Sequence, residues 1–339
     1  MARKIKPVSI SSIAAELGVS PSAVSRAINN RAGVSEETRR RVGVLLEKYR
    51  FRPAYPASRL PRVAVVTGSA HLAPYSASVL SGICRYVCGG TISAAALVVP
   101  ESGRGRLLDL VRDQQCSAVI LIVPACFAAD FPVLSASGLP VMLVDETVVF
   151  PGSGYIDNDS RTGSLEAARY LIGLGHRRIG YIVSRSATSN HRERFDAYRE
   201  ALAEAGIGFD PALAVSGIEG GGEMEFGFRA MRELLSRGKP FTALMATNDE
   251  IALGAISAAR EAGLRIPADL SVIGFDDNAF SAFIDPPLTT VRHDAEQAGF
   301  LAARAVDEYL QSGKPLPREI LPTRLVVRSS CGAPRQGRE

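Results

Sequence analysis

Ser9-Ile-Ser-Ser-Ile-Ala-Ala-Glu-Leu-Gly-Val-Ser-Pro-Ser-Ala-Val-Ser-Arg-Ala-Ile-Asn29 is the stretch on which the organisation of the chain turns. Ser9 suits a helix N-cap, and Ile10, Ile13, Ala14 and Leu17 follow on one face of a 3.6-residue period. Gly18 stops that helix, because glycine accepts the left-handed C-cap conformation. Ser20 then caps a second helix with Pro21 at its first position, where a missing N–H costs nothing. Val24, Ala27 and Ile28 form its inward stripe, and Ser22, Ser25, Arg26 and Asn29 fall on the opposite side. Two short helices joined by a Gly-containing turn predict a helix-turn-helix. A third helix after Ser35 turns Val42, Leu45, Leu46 and Tyr49 inward and Arg39, Arg40 and Arg41 outward, which completes a small all-α head.

Charge separates this head from the rest. Residues 1–60 hold twelve Lys/Arg against four acids, so the head carries +8 and the remainder −4. A basic head on a slightly acidic body points to a polyanionic partner for the head. In a helix-turn-helix the second helix enters the DNA major groove. Arg26 can bond two acceptors on a guanine edge, and Asn29 can pair with adenine or a phosphate.

The body has another rhythm. Apolar strand-like runs (Val63–Thr67, Ala95–Val99, Ala118–Val123, Val141–Asp145, Arg178–Val183, Ala243–Thr247, Ser271–Phe275) alternate with helical patterns between them, such as Ser76–Val87, Arg192–Ala205 and Ala295–Gln311. Such alternation predicts doubly wound parallel sheets covered on both faces, and about 270 residues of it make two α/β subdomains. Ligands of these sheets bind beyond the carboxyl ends of the strands, where His71, Asp145, Asn248, Asp249, Asp276 and Asp277 stand. Asp249 and Asp277 are expected to serve as caps or turn residues.

The wording of both parts resembles the LacI/GalR family of bacterial transcription regulators. In the head the resemblance rests on the stretch from Val8 to Asn30 and on Val34-Ser-Glu-Glu-Thr-Arg-Arg-Arg-Val42. In the body it rests on Leu174-Gly-His-Arg-Arg-Ile-Gly-Tyr-Ile182, Arg192-Glu-Arg-Phe-Asp-Ala-Tyr198, Ala246-Thr-Asn-Asp-Glu-Ile-Ala-Leu-Gly-Ala255, Leu270-Ser-Val-Ile-Gly-Phe-Asp-Asp277 and Pro286-Pro-Leu-Thr-Thr-Val-Arg292. It implies a periplasmic-binding-protein-like body and a division into a helix-turn-helix DNA-binding domain (1–52), a hinge (53–62), an effector-binding and dimerisation body (63–330) and a short tail (331–339). By the resemblance, Pro21, Ser22 and Arg26 read bases, and Ser9, Ser20, Ser25 and Asn29 contact the DNA backbone. It also implies a hinge helix that forms on the operator, with Leu60 wedged into the minor groove and Ala57 beside it. The hinge departs from the family pattern in carrying Ala54 where an asparagine is usual, and in being several residues short.

The resemblance places effector contacts at Arg194, Asn248 and Asp276, and less regularly at Asp145. A guanidinium offers paired donors and a carboxylate paired acceptors, so these types suit vicinal hydroxyls. Tyr75 or Phe275 supplies an apolar stacking face. The expected protein is a cytoplasmic regulator, most simply a repressor, that binds a pseudo-palindromic operator as a homodimer under the control of a sugar-like effector. The rival reading of the body is a solute-binding protein for transport, which the basic head and the lack of a signal segment oppose.

Other classes are excluded by what the residues do not form. There is no nucleophile elbow, metal motif or dinucleotide fingerprint, so no enzymatic activity, metal or cofactor is expected. Cys84, Cys88, Cys116, Cys126 and Cys331 have no paired spacing, so no disulfide framework or zinc site is expected, and Cys84 and Cys88, one helical turn apart, are expected to be buried free thiols. No apolar run approaches the roughly 20 residues that span a bilayer.

Overall fold

The computed structural model describes residues 10–28, 33–49, 60–68, 74–100, 105–184, 188–216 and 221–335. The chain divides into two compact units, Met1–Arg59 and Leu60–Glu339.

The first unit contains α1 (Ile10–Leu17), α2 (Pro21–Ile28) and α3 (Glu36–Lys48). Gly18 takes φ +68° and ends α1. The Ser20 hydroxyl accepts from the Ala23 N–H at 3.2 Å and starts α2, and Ser35 does the same for Thr38 and α3. Ile13, Ala14, Val24, Val42 and Leu45 form the core. Tyr49 does not join it: its ring is partly exposed and its hydroxyl donates to Glu16 at 2.6 Å, beside the Lys48–Glu16 ion pair at 3.0 Å. These bonds hold the Glu16 carboxyl below its ordinary range.

The second unit is built on two six-stranded sheets. The first contains β1 (Arg62–Thr67), β2 (Ser93–Val98), β3 (Ala118–Ile122), β4 (Val141–Val144), β5 (Ser153–Asn158) and β11 (Arg318–Leu321), in the order β11-β5-β4-β3-β1-β2, all parallel. The second contains β6 (Ile179–Ile182), β7 (Ala214–Val215), β8 (Ala243–Ala246), β9 (Ser271–Asp276), β10 (Thr289–Arg292) and β12 (Arg324–Val326), in the order β12-β10-β9-β8-β6-β7. Here the wholly parallel expectation is corrected at one edge, where β12 pairs antiparallel with β10. A strand that closes a sheet need not be covered on both faces, so this is where antiparallel pairing is tolerated.

Strand alternation divides each half into two core layers. Val63 and Val65 face α4 (Pro74–Val87) and α11 (Ala295–Ser312), while Ala64 and Val66 face α5 (Leu107–Asp113) and α6 (Phe131–Ser137). In the second half, Tyr181 and Met245 face α7 (Ser160–Gly173) and α8 (Ser189–Glu204). Ile182 and Leu244 face α9 (Glu223–Ser236) and α10 (Asp249–Glu261). Glycines set the closest helix contacts. A Cβ at Gly82 of α4 would stand 1.8 Å from the Glu296 carbonyl of α11, and one at Gly254 of α10 would stand 1.9 Å from the Met224 carbonyl of α9.

The halves are not consecutive in sequence. The chain passes to the second half after β5, returns to the first after β10 to form α11 and β11, and crosses again to β12. Asp159 and Asp294 cap the helices that follow the first two passages, each accepting from an N–H three residues on. These passages put the carboxyl ends of both sheets at one cleft.

The residues after β12 are tied down as far as Arg335, which pairs with Asp269 at 3.1 Å. The buried His176 bonds Thr242 and Ser271 and meets the Gly332 carbonyl at 2.9 Å, and burial lowers its imidazole pKa. Its place in the Leu174–Ile182 phrase is therefore structural. The five cysteines are free, but Cys84 on α4 and Cys88 just after it are exposed, which corrects the expectation that they are buried. Among the described residues, no helix is long and apolar enough to cross a membrane, and no group of three or more His, Cys, Asp or Glu can hold a metal ion.

Candidate functional site

The head presents one face of α2. Pro21, Ser22 and Arg26 are exposed on it, and Ser20 lies at its start. Arg26 Nε donates to the Ser22 carbonyl at 3.2 Å and its Nη2 to the Ser22 hydroxyl at 3.4 Å, so the two side chains occupy one patch. Ser25 falls within α2, whereas Ser9, Asn29 and Ala57 lie outside the described residues. Leu60, partly exposed, begins the second unit.

In the body, five residues proposed from the sequence line one inner pocket of about 140 Å³: Tyr75, Asp145, Arg194, Asn248 and Asp276. Tyr75 comes from the start of α4, and Asp145 and Asp276 from the ends of β4 and β9. Arg194 projects from α8, and Asn248 caps α10. A larger outer pocket of about 350 Å³ shares Tyr75 and Asp276 and is also lined by His293. His71 lies outside the described residues.

The backbone at the strand ends is unusual. Val123, Asp145, Asp276 and Asp277 all have positive φ, between 52° and 113°. Non-glycine residues in this region carry strain that the surrounding structure must hold, and such strain gathers at functional sites.

Arg194 is almost fully buried. It donates to the Thr247 carbonyl at 2.8 Å, lies 3.6 Å from Asp276 and stacks its guanidinium 3.6 Å above the Phe275 ring. That stacking corrects one expectation. Phe275 is 2% exposed with a cation over its face, so it belongs to the core and has no open face for a ligand. Tyr75 is the aromatic that remains on the cavity wall. Asn248 spends its side-chain oxygen on the Ile251 N–H at 2.8 Å, which leaves its amide N–H groups for the pocket it lines.

The two flanking aspartates are held by tertiary contacts, and Asn248 rather than Asp249 caps α10. Asp249 accepts from the Asn278 N–H at 2.8 Å and the Ser281 hydroxyl at 2.6 Å, and from the Thr290 hydroxyl at 2.5 Å. Burial, and then the charge of Asp276, push its carboxyl up to about 7. Asp277 is clasped by Arg292 and Arg328.

Several site residues escaped the sequence reading. Asn190 of α8 donates to Asp145 at 2.8 Å and to Asp157 of β5 at 2.9 Å, and Ser189 donates to Glu146 at 2.6 Å. These bonds join the second half to the first. Burial raises the Asp145 carboxyl well above its usual range, and the charge of Asp157 adds to this. His293 Nε2 lies 3.1 Å from Asp276, while Glu223 and Glu250 complete the acidic wall. The signal for Asn190 was its place in the first turn of a helix already carrying Arg194. His293 directly follows β10, a strand that the apolar runs did not announce.

A polar cleft at the facing carboxyl ends of two α/β sheets, with three chain passages beside it, defines a two-lobed ligand-binding body, and the helix-turn-helix is a DNA-reading unit. A family model described as bacterial regulatory proteins, lacI family, matches residues 9–54, and one described as a periplasmic binding protein-like domain matches residues 168–331. The chain is 32% identical to the HTH-type transcriptional regulator GalR of Escherichia coli K12, over 96% of each chain. It is 29% identical to the structure of a transcriptional regulator CelR–cellobiose complex, with a TM-score of 0.72 over 96% of this chain and all of that one. The lac repressor dimer bound to operator and the anti-inducer ONPF shares the fold, with a TM-score of 0.73, 23% identity and coverage of 97% of this chain and all of that one. The chain belongs to the LacI family of bacterial transcription regulators.

Proposed function

We propose that this chain is an operator-binding repressor of the cytoplasm, controlled by a small polyhydroxylated effector. Two copies joined through the body present two heads to a pseudo-palindromic site, as a two-fold dimer requires. Residues 1–52 read the DNA and 53–62 act as the hinge. Leu60 enters the minor groove, and 63–330 bind the effector and the second copy. Arg26 and Ser22 read base edges, and Ser9, Ser20, Ser25 and Asn29 hold the backbone. The observation that carries the effector reading is the convergence of Tyr75, Asp145, Arg194, Asn248 and Asp276 on one pocket between the halves. A guanidinium, an amide and two carboxylates against an aromatic ring match the alternating hydroxyl and apolar faces of a sugar. The CelR relative was solved with cellobiose.

Ligand seated there touches both halves, so its affinity differs between open and closed states, and only that difference can shift the equilibrium. The test is a thermal-shift screen of the purified protein against sugars, polyols and nucleosides, with operator selected from random duplexes. A saturable shift that disappears in Arg194→Ala, while operator binding persists, is the expected result. A ligand response undiminished in that variant removes Arg194 from the pocket.

A further inference from the structure

We infer that the inner pocket is built for a polyhydroxylated amine, an amino sugar or related cationic polyol, and against sugar acids and sugar phosphates. This rests on the effector reading above and narrows it. Among the described residues that line the pocket, four are carboxylates (Asp145, Glu223, Glu250 and Asp276) and Arg194 is the one permanent cation. Arg194 is already engaged by Asp276, the Thr247 carbonyl and the Phe275 ring. Asp157 and Glu146 stand behind this wall, held through Asn190 and Ser189.

The groups inside register that negative field. Burial raises the Tyr75 phenol well above its usual range, and Asp145, Asp157 and Asp276 add to the effect. Glu250 is raised by burial and then by Glu223 and Asp276. An arriving anion increases every one of these repulsions, and an ammonium group relieves them. The N-termini of α9 and α10 also open here, a feature that ordinarily favours anions. Their first turns carry Glu223 and Glu250, so the chain itself supplies that negative charge.

Unpaired acceptors point the same way. His293 is 6% exposed and lines the adjoining outer pocket. With its Nε2–H donated to Asp276, its Nδ1 is an acceptor, and that buried atom has no partner. Tyr75 lines both pockets, and its buried hydroxyl oxygen, which can accept, is likewise unpartnered. Buried acceptors cost stability unless a donor meets them, and an amine beside hydroxyls is the donor-rich ligand that does.

The experiment uses the full chain and matched sets on three skeletons: glucose, galactose and mannose, their 2-amino-2-deoxy forms, their uronic acids and their 6-phosphates. Calorimetric titration should find one amine bound at least tenfold tighter than its neutral parent, with the matching uronate and phosphate at least tenfold weaker than that parent. The tenfold preference for the amine should shrink in Glu223→Gln/Glu250→Gln. A uronate or phosphate that binds best overturns the inference and leaves the effector reading intact. A preference for the amine unchanged in the double variant also overturns it. Silence from all twelve compounds, with operator binding intact, overturns the inference together with the sugar-like effector it rests on.

Discussion

The Asn190 amide donates to the Asp145 carboxylate at 2.8 Å, and the two residues belong to different halves of the body. Asn190 lies in the first turn of α8, and Asp145 at the strained end of β4. Any opening of the cleft must break this bond, so the pair reports directly on the closed state.

Asn190→Ala should therefore favour the open form. It removes one donor shared by two buried carboxyl groups, and leaving a buried acceptor without its partner costs about 1–3 kcal/mol. The expected outcome is a larger radius of gyration by small-angle scattering and an effector affinity roughly tenfold weaker. An unchanged scattering profile and affinity would show that the bond does not govern closure.

Arg26→Ala should weaken specific operator binding by roughly 1–3 kcal/mol and relax discrimination at one base position. Arg26 is exposed on α2, and its packing partner is Ser22 on the same face, so its removal costs the head little stability. Binding measured at one fixed salt concentration against selected and scrambled duplexes separates the specific term from phosphate attraction. Equal losses on both duplexes would make Arg26 a backbone contact.

How far the sequence could be read depended on how local the signal was. Val63–Val66, Ala118–Ile122 and Val141–Val144 announce buried parallel strands because both of their faces are covered and nearly every residue is apolar. Ser153–Asn158 and Arg318–Leu321 gave no such run, since β5 is half polar toward the cleft and β11 is a largely exposed edge. Arg194, Asn248 and Asp276 were legible as polar residues beside apolar elements, or through the family phrases. The latch was not legible: Asn190 and Asp145 are 45 residues apart, and only the passage of the chain between halves brings them together. Phe275 was misassigned because a sequence shows an aromatic at a strand end but not the guanidinium lying on it.

The helix-packing glycines were also silent in the sequence, yet they carry a sharp expectation. Gly254→Ala places a methyl 1.9 Å from the Met224 carbonyl and 2.7 Å from the Phe228 nitrogen, both backbone atoms that cannot rotate aside. The α9–α10 pair must separate, at a cost of about 1–3 kcal/mol or more. Gly173→Ala is the control, because a Cβ there meets nothing within 4 Å and gains up to about 1 kcal/mol of helix propensity. Urea unfolding should move the two variants in opposite directions. Equal midpoints would mean that α9 accommodates the methyl freely.

Asp249 gives the body a pH dependence of defined sign. Its carboxyl titrates near 3.8 when the chain is unfolded and at about 7 in the buried site. Between those values the folded state keeps a proton that the unfolded state has released, so the free energy of unfolding falls as pH rises from about 4 to about 7. Above that window both states are ionised and the contribution is constant. Asp249→Asn abolishes it while preserving the bonds. The remaining amide oxygen can accept from Asn278 and Ser281, and the new N–H can donate to a rotated Thr290 hydroxyl. The unfolding free energies of wild type and variant, compared at pH 5 and pH 8, should lie closer together at the lower value. At the higher value they should differ in favour of the variant, on the order of a few kcal/mol. A constant difference across that range would mean that Asp249 is ionised in the fold at both pH values, held so by its three donors.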